Sequence, residues 1–184
     1  MIANDFLLLL KKDNMTEHYP TLLEMAPWNK QYPVTRVDGW NIFRWPKIGE
    51  VAPDESLVVK SNEPKQSLHS LVDTSLQSGK RLFVLLFDGI NHGNTTADSI
   101  SFAEELDQDY GSFVDAVVIS NYYDAHQYDA IDNILWDIDG NCAKKYGASW
   151  QSIYVIDSNK NIVWKSCGFM KNLLKDYLDT RDES

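Results

Sequence analysis

Cys142 and Cys167, 25 positions apart, are the only thiols in the chain. Together they could exchange electrons with a disulfide or reduce a peroxide, chemistry that needs a thiolate. Cys142 falls where a short helix is expected to start, with Lys144 and Lys145 beside it, a setting that lowers a thiol's pKa. Both residues also read more simply as small core side chains, since free cysteine is among the most buried types. Two cysteines exclude a disulfide scaffold and, on their own, a four-cysteine zinc or iron–sulfur centre. A second constellation surrounds His92, with Asp88, Asn91, Asn94, Thr95 and Thr96 close in sequence. Of these, His92, Asn94, Thr95 and Thr96 form a candidate binding set for an anion or small polar ligand above a helix N-terminus. The competing reading is a solvated turn followed by a helix cap. Thr95, His92 and Asp88 can be drawn as nucleophile, base and orienting acid, but so short a loop is a poor frame for that geometry. His126 stands among Asp124, Asp129 and Asp132, without the alternating spacing and glycine of a calcium loop. The acidic run therefore reads as solvated surface, and no metal or other cofactor is expected. His18 and His69 have no evident partner and are expected to be exposed.

These residues need elements to hold them. The first 46 residues form an arm in which Pro20, Pro27, Pro33 and Pro46 break any long element. Within it, Asp38-Gly39 between Val34–Val37 and Trp40–Trp45 predicts a β-hairpin, and Trp28, Trp40 and Trp45 are expected to pack. Beyond Lys47 the pattern becomes regular. Pro64 to Gly79 predicts a helix carrying Leu68, Leu71 and Val72, closed by the glycine. Arg81 to Phe87 has six successive apolar residues after the arginine, the mark of a strand buried on both faces. A helix capped by Thr95 or Thr96 follows, with Asp98 near its start and Ile100, Ala103 and Leu106 on one face. Phe113 to Ile119 is a second buried strand, then comes a polar stretch from Ser120 to Ile138. A short helix at Cys142 to Tyr146 precedes a hairpin of Ser152–Ile156 and Asn161–Trp164. Met170, Leu173, Leu174, Tyr177 and Leu178 space a final helix.

Composition narrows the function classes. With 27 acidic and 17 basic residues, the formal charge of −10 disfavours a nucleic-acid partner. Phe6–Leu10 is far too short to span a bilayer, so no membrane association is expected, and a cytoplasmic setting with reduced thiols is. The most one-sided segment, Asp124 to Asp139, holds five Asp and no Lys or Arg, so a protein docking there is expected to be basic.

The order and wording of these segments resemble a known family. "KIGEVAPDESLV" (Lys47 to Val58) resembles the opening of peroxiredoxin and other redoxin domains, "KRLFVLLF" (Lys80 to Phe87) their central strand, and "KYGASWQSIYVIDSNKNIVWKS" (Lys145 to Ser166) their closing segment. The resemblance implies an α/β, thioredoxin-like domain over residues 47–184, with a central mixed sheet flanked by helices. It implies no redox chemistry: matching "FAEEL" to the helix after a peroxidatic cysteine puts Thr95 at that cysteine's position, and no Cys-x-x-Cys pair exists. A narrower similarity is to the C-terminal thioredoxin-like domain of flavin-dependent aromatic hydroxylases of the phenol hydroxylase type, which also lacks redox cysteines. Here "GEVAPDESLV", "KYGAS" and "NIVWKS" are similar, although Asp157-Ser158-Asn159 replaces the usual Arg-Pro-Asp-Gly. The chain has no Gly-x-Gly-x-x-Gly and no flavin domain. The resemblance thus implies a non-catalytic interaction or oligomerisation module, a free-standing relative of that domain, with a protein partner or self-association. The alternatives are a thiol oxidoreductase using Cys142 or Cys167, and a small polar ligand binder at the His92 loop.

Overall fold

The computed structural model describes residues 46–60, 63–88, 93–121, 133–148 and 151–182, with 93–95 and 167 described as backbone only. The N-terminal arm with its expected hairpin, His18, Asn91, His92, and His126 with Asp124, Asp129 and Asp132 lie outside the described residues.

The described elements run β1 (Ser56–Leu57), β2 (Gln66–Ser67), α1 (Leu68–Gln77), β3 (Leu82–Phe87), α2 (Gly93–Tyr110), β4 (Val114–Ser120), β5 (Ile134–Trp136), α3 (Asn141–Tyr146), β6 (Ser152–Asp157), β7 (Ile162–Cys167) and α4 (Lys171–Asp182). Five strands make a mixed sheet in the order β5-β4-β3-β6-β7. β3 pairs parallel with β4 and antiparallel with β6, so it is the central strand. All six of its residues are buried, as the continuous apolar run predicts. Its side chains alternate with a period of two between the sheet's faces. Leu82, Val84 and Leu86 join a core with Leu106 of α2 and Leu174 and Leu178 of α4. Phe83, Leu85 and Phe87 join another with Leu68 and Val72 of α1 and Cys142 and Tyr146 of α3. Each fully buried Leu or Phe stabilises this sandwich by about 1.5–3 kcal/mol relative to exposure.

Several boundaries differ from the sequence reading. The first helix starts at Leu68, four residues after Pro64, because Gln66-Ser67 pairs instead with Ser56-Leu57. Ser67 is its N-cap, and Gly79, at φ +95°, follows its end as expected. The segment leading into the fold supplies only the two-residue β1 and two isolated bridges, Val51 to Asn161 and Val58 to Trp136. α2 begins at Gly93, so Thr95 and Thr96 lie inside its first turn rather than capping it, and Asp98 falls in the second turn. The polar stretch after β4 contains a strand the sequence reading lacks: Ile134–Trp136, fully buried and parallel to β4. Leu173 is 37% exposed, so α4 packs through Leu174 and Leu178, with Tyr177 half-buried.

Candidate functional site

Asp88 directly follows β3, where the sheet ends against the N-terminus of α2. Its N–H donates to the Ile119 carbonyl at 3.2 Å. Its Oδ2 accepts the Thr96 hydroxyl at 2.7 Å. Asp88 is 2% exposed and Thr96 0%. A hydroxyl donating to a carboxylate is the geometry of an activated oxygen nucleophile, but a nucleophile must also reach its substrate. This pair is sealed, and it acts as a latch holding the first turn of α2 to the end of the central strand. Asn94 and Thr95 are the second and third residues of α2.

The thiol of Cys142 is equally enclosed. It lies at the start of α3 with 0% exposure. Burial pushes its pKa well up, and the charge of Asp137 pushes it further. The expected lowering by the helix start and nearby lysines is therefore reversed. The reason is specific: the helix N–H groups of Cys142 and Ala143 donate to the Asp137 carboxylate at 3.1 and 2.8 Å. Lys145 is engaged elsewhere, by Glu55 at 2.8 Å and the Asp54 carbonyl at 2.8 Å. Lys144 turns to the Asp139 carbonyl at 3.2 Å. Burial raises the pKa of Asp137 itself, only partly offset by the N–H groups it accepts. Cys167 ends β7, its backbone in register with Ser152 of β6.

The acidic segment is divided by these contacts. Asp137 is 3% exposed and caps α3, while Asp139 pairs with Lys65 at 2.8 Å. Neither is a free surface charge.

One polar network escaped sequence reasoning. Asp54 accepts the Ser67 hydroxyl at 2.8 Å and the His69 N–H at 3.0 Å. Burial opposes its ionisation, but these bonds outweigh it and the pKa of Asp54 is lowered. His69, expected to be partnerless, places Nε2 2.7 Å from the Ala52 carbonyl. The Tyr146 hydroxyl donates to the Pro53 carbonyl at 3.0 Å, and the Tyr154 hydroxyl to the Tyr146 carbonyl. Phe87, Tyr146 and Tyr154 interlock edge to face around this junction. The Ala-Pro-Asp and Tyr-Gly segments, distant in sequence, thus meet directly. Their co-occurrence was the available signal; the contact itself was not visible in either segment.

Among the described residues, no group of three His, Cys, Asp or Glu is placed to hold a metal ion. Among them also, no helix is long and apolar enough to cross a membrane.

No protein-family model matches the chain, and no curated protein matches it. Solved structures do match. A protein assigned as thiol:disulfide interchange protein DsbE from Chlorobium tepidum aligns at 18% identity and TM-score 0.55, over 73% of this chain and 97% of that one. The C-terminal domain of a protein assigned as a thiol-disulfide oxidoreductase from Bacteroides thetaiotaomicron aligns at 20% identity and TM-score 0.54, covering 73% and 95%. Thioredoxin peroxidase I of Plasmodium yoelii aligns at 15% identity and TM-score 0.54, covering 74% and 89%. At such identities the likeness is one of architecture, and it agrees with the mixed sheet and flanking helices described above: the chain has a thioredoxin-like fold.

Proposed function

We propose that this chain is a non-catalytic thioredoxin-like module that works through protein contact or self-association. The observation that carries the reading is the Asp88–Thr96 latch. It occupies the end of the central strand facing a helix N-terminus, directly beside Thr95, the position at which the redoxin resemblance would place a reactive cysteine. A threonine hydroxyl cannot replace a thiolate at neutral pH, and a sealed carboxylate–hydroxyl pair offers no access to a substrate. The proposal extends to kinship with the C-terminal domain of flavin-dependent aromatic hydroxylases, on the sequence similarity alone.

Exposed apolar side chains support a contact role. Val51 is 60% and Ile48 41% exposed, on the segment that bridges to Asn161 beside β7. The three similar structures are of proteins named for disulfide exchange or peroxide reduction, which motivates the thiol alternative. Its better candidate is Cys167, because Cys142 is enclosed and its thiol is held protonated.

Light scattering on the full chain across the micromolar range tests the contact role. The expected result is a mass that rises to a dimer or larger species and falls back in a Val51→Asp variant. A strict monomer throughout, with no partner in pull-downs, would overturn the reading.

A further inference from the structure

The opposite end of the sheet holds a cleft that the module reading does not use. It has a volume of about 220 Å³ and opens where β3 begins and α4 ends. Two arginines line it, Arg81 just before β3 and Arg181 near the end of α4. They are the only arginines among the described residues, and both are exposed. Arg81 lies 4.8 Å from the centre of the Phe113 ring, and Arg181 5.1 Å from that of Tyr177. The Arg81 Nη2 donates to the Arg181 carbonyl at 3.1 Å, which ties the Arg81 side chain to the backbone near the end of α4. That bond uses one of five guanidinium donors, and among the described residues Arg81 forms no ion pair.

Asp157 supplies the opposite charge to the same cleft. Its Oδ1 accepts the N–H groups of Asn159 and Asn161 at 2.9 and 2.8 Å, and its Oδ2 has no hydrogen bond among the described residues. Leu82 and Val163 add an apolar wall to the same cleft. A small cleft with forked cationic donors, one free carboxylate oxygen and an apolar wall complements a particular ligand chemistry. A carboxylate matches a guanidinium fork, an ammonium matches Asp157, and a short aliphatic chain matches the wall. A multiply charged anion fits less well, since Asp157 would repel it.

We infer that this cleft binds a small zwitterion, an amino carboxylate with a short aliphatic side chain, held by Arg81, Arg181 and Asp157. Binding there does not involve the Asp88–Thr96 end of the sheet and is independent of any thiol.

The test is nitrogen–proton NMR titration of the full chain with L-leucine, 4-methylpentanoate (which lacks the amine), 3-methylbutylamine (which lacks the carboxylate) and inorganic phosphate. A ligand of this size is expected to bind at about 1 mM or tighter. Leucine should shift the amides of Arg81, Asp157 and Arg181 and bind about tenfold more tightly than either half-analogue or phosphate. Arg181→Gln should weaken leucine about tenfold, and Asp157→Asn, which keeps an Oδ1 acceptor for the turn, should abolish the preference for leucine over 4-methylpentanoate. Circular dichroism establishes that each variant is folded. No shift at tens of millimolar leucine, equal binding of 4-methylpentanoate, or phosphate binding as tightly would each contradict the inference.

Discussion

At the C-terminal end of β3, Asp88 is buried and receives the Thr96 hydroxyl, and Phe87 is locked between Tyr146 and Tyr154. At the N-terminal end, Arg81 stands exposed beside Arg181 and donates to its carbonyl at the mouth of the cleft. The same strand therefore ends once in a closed polar pair and once in an open, charged cleft. Polar groups sealed in a low-dielectric interior contribute mainly to structure, because leaving either one unmatched is costly. Exposed groups contribute little to stability and remain available for binding. At the end of the strand that faces the α2 N-terminus the described side chains form a buried, hydrogen-bonded pair, while the exposed guanidinium groups lie at the other end.

Four substitutions or conditions can break that contrast, beginning with the largest effect. Phe87→Ala empties the aromatic junction at the closed end and should cost about 3–5 kcal/mol in urea unfolding. A loss below about 1 kcal/mol would mean the junction can collapse around the gap and the end is not rigid. Thr96→Val keeps the shape but removes the donor to a buried carboxylate, so an expected loss of about 1–3 kcal/mol follows, read by the same method.

Asp137 gives a pH signature. Its folded pKa is raised above the ordinary 3.8, so the folded state holds the proton more tightly than the unfolded one. The sign of linkage then requires this residue's contribution to fall as pH rises from 3.8 through the higher folded value. Asp54 and Glu55 shift the other way, and their contributions are present above their ordinary pKa values and lost as pH falls. The difference in unfolding midpoint between the parent chain and Asp137→Asn, followed from acidic to neutral buffer, isolates the Asp137 component. A difference independent of pH would contradict it. The smallest effect belongs to the open end: Arg181→Gln should change stability by about 0.5 kcal/mol or less, whatever it does to ligand binding.

The sequence was most legible where one local pattern decides the structure. The apolar run of Leu82–Phe87 marked a strand buried on both faces, and the helical spacing of Met170, Leu173, Leu174, Tyr177 and Leu178 included the two residues, Leu174 and Leu178, that α4 buries. It was least legible where a distant partner decides. Ile134–Trp136 is a three-residue strand among aspartates, too short to show a period, and it forms because β4 offers a parallel edge. Helix α1 starts late because β2 pairs with β1. At the candidate site, Asp88 and Thr96 were both in view as members of a polar loop. Their burial and mutual bond depend on Ile119 and the packing of α2, which no local reading contains. Cys142 shows the same limit in electrostatics: adjacent lysines suggested an activated thiol, but Asp137 takes the helix N–H groups and Glu55 takes Lys145.

The central claim, that this thioredoxin-like fold performs no thiol chemistry, is tested most directly by one comparison. Peroxide consumption and insulin disulfide reduction are measured for the full chain and for a Cys142→Ser, Cys167→Ser double variant. The account predicts no turnover above the protein-free background in either chain and no difference between them. Turnover by the parent chain that disappears in the double variant would contradict it.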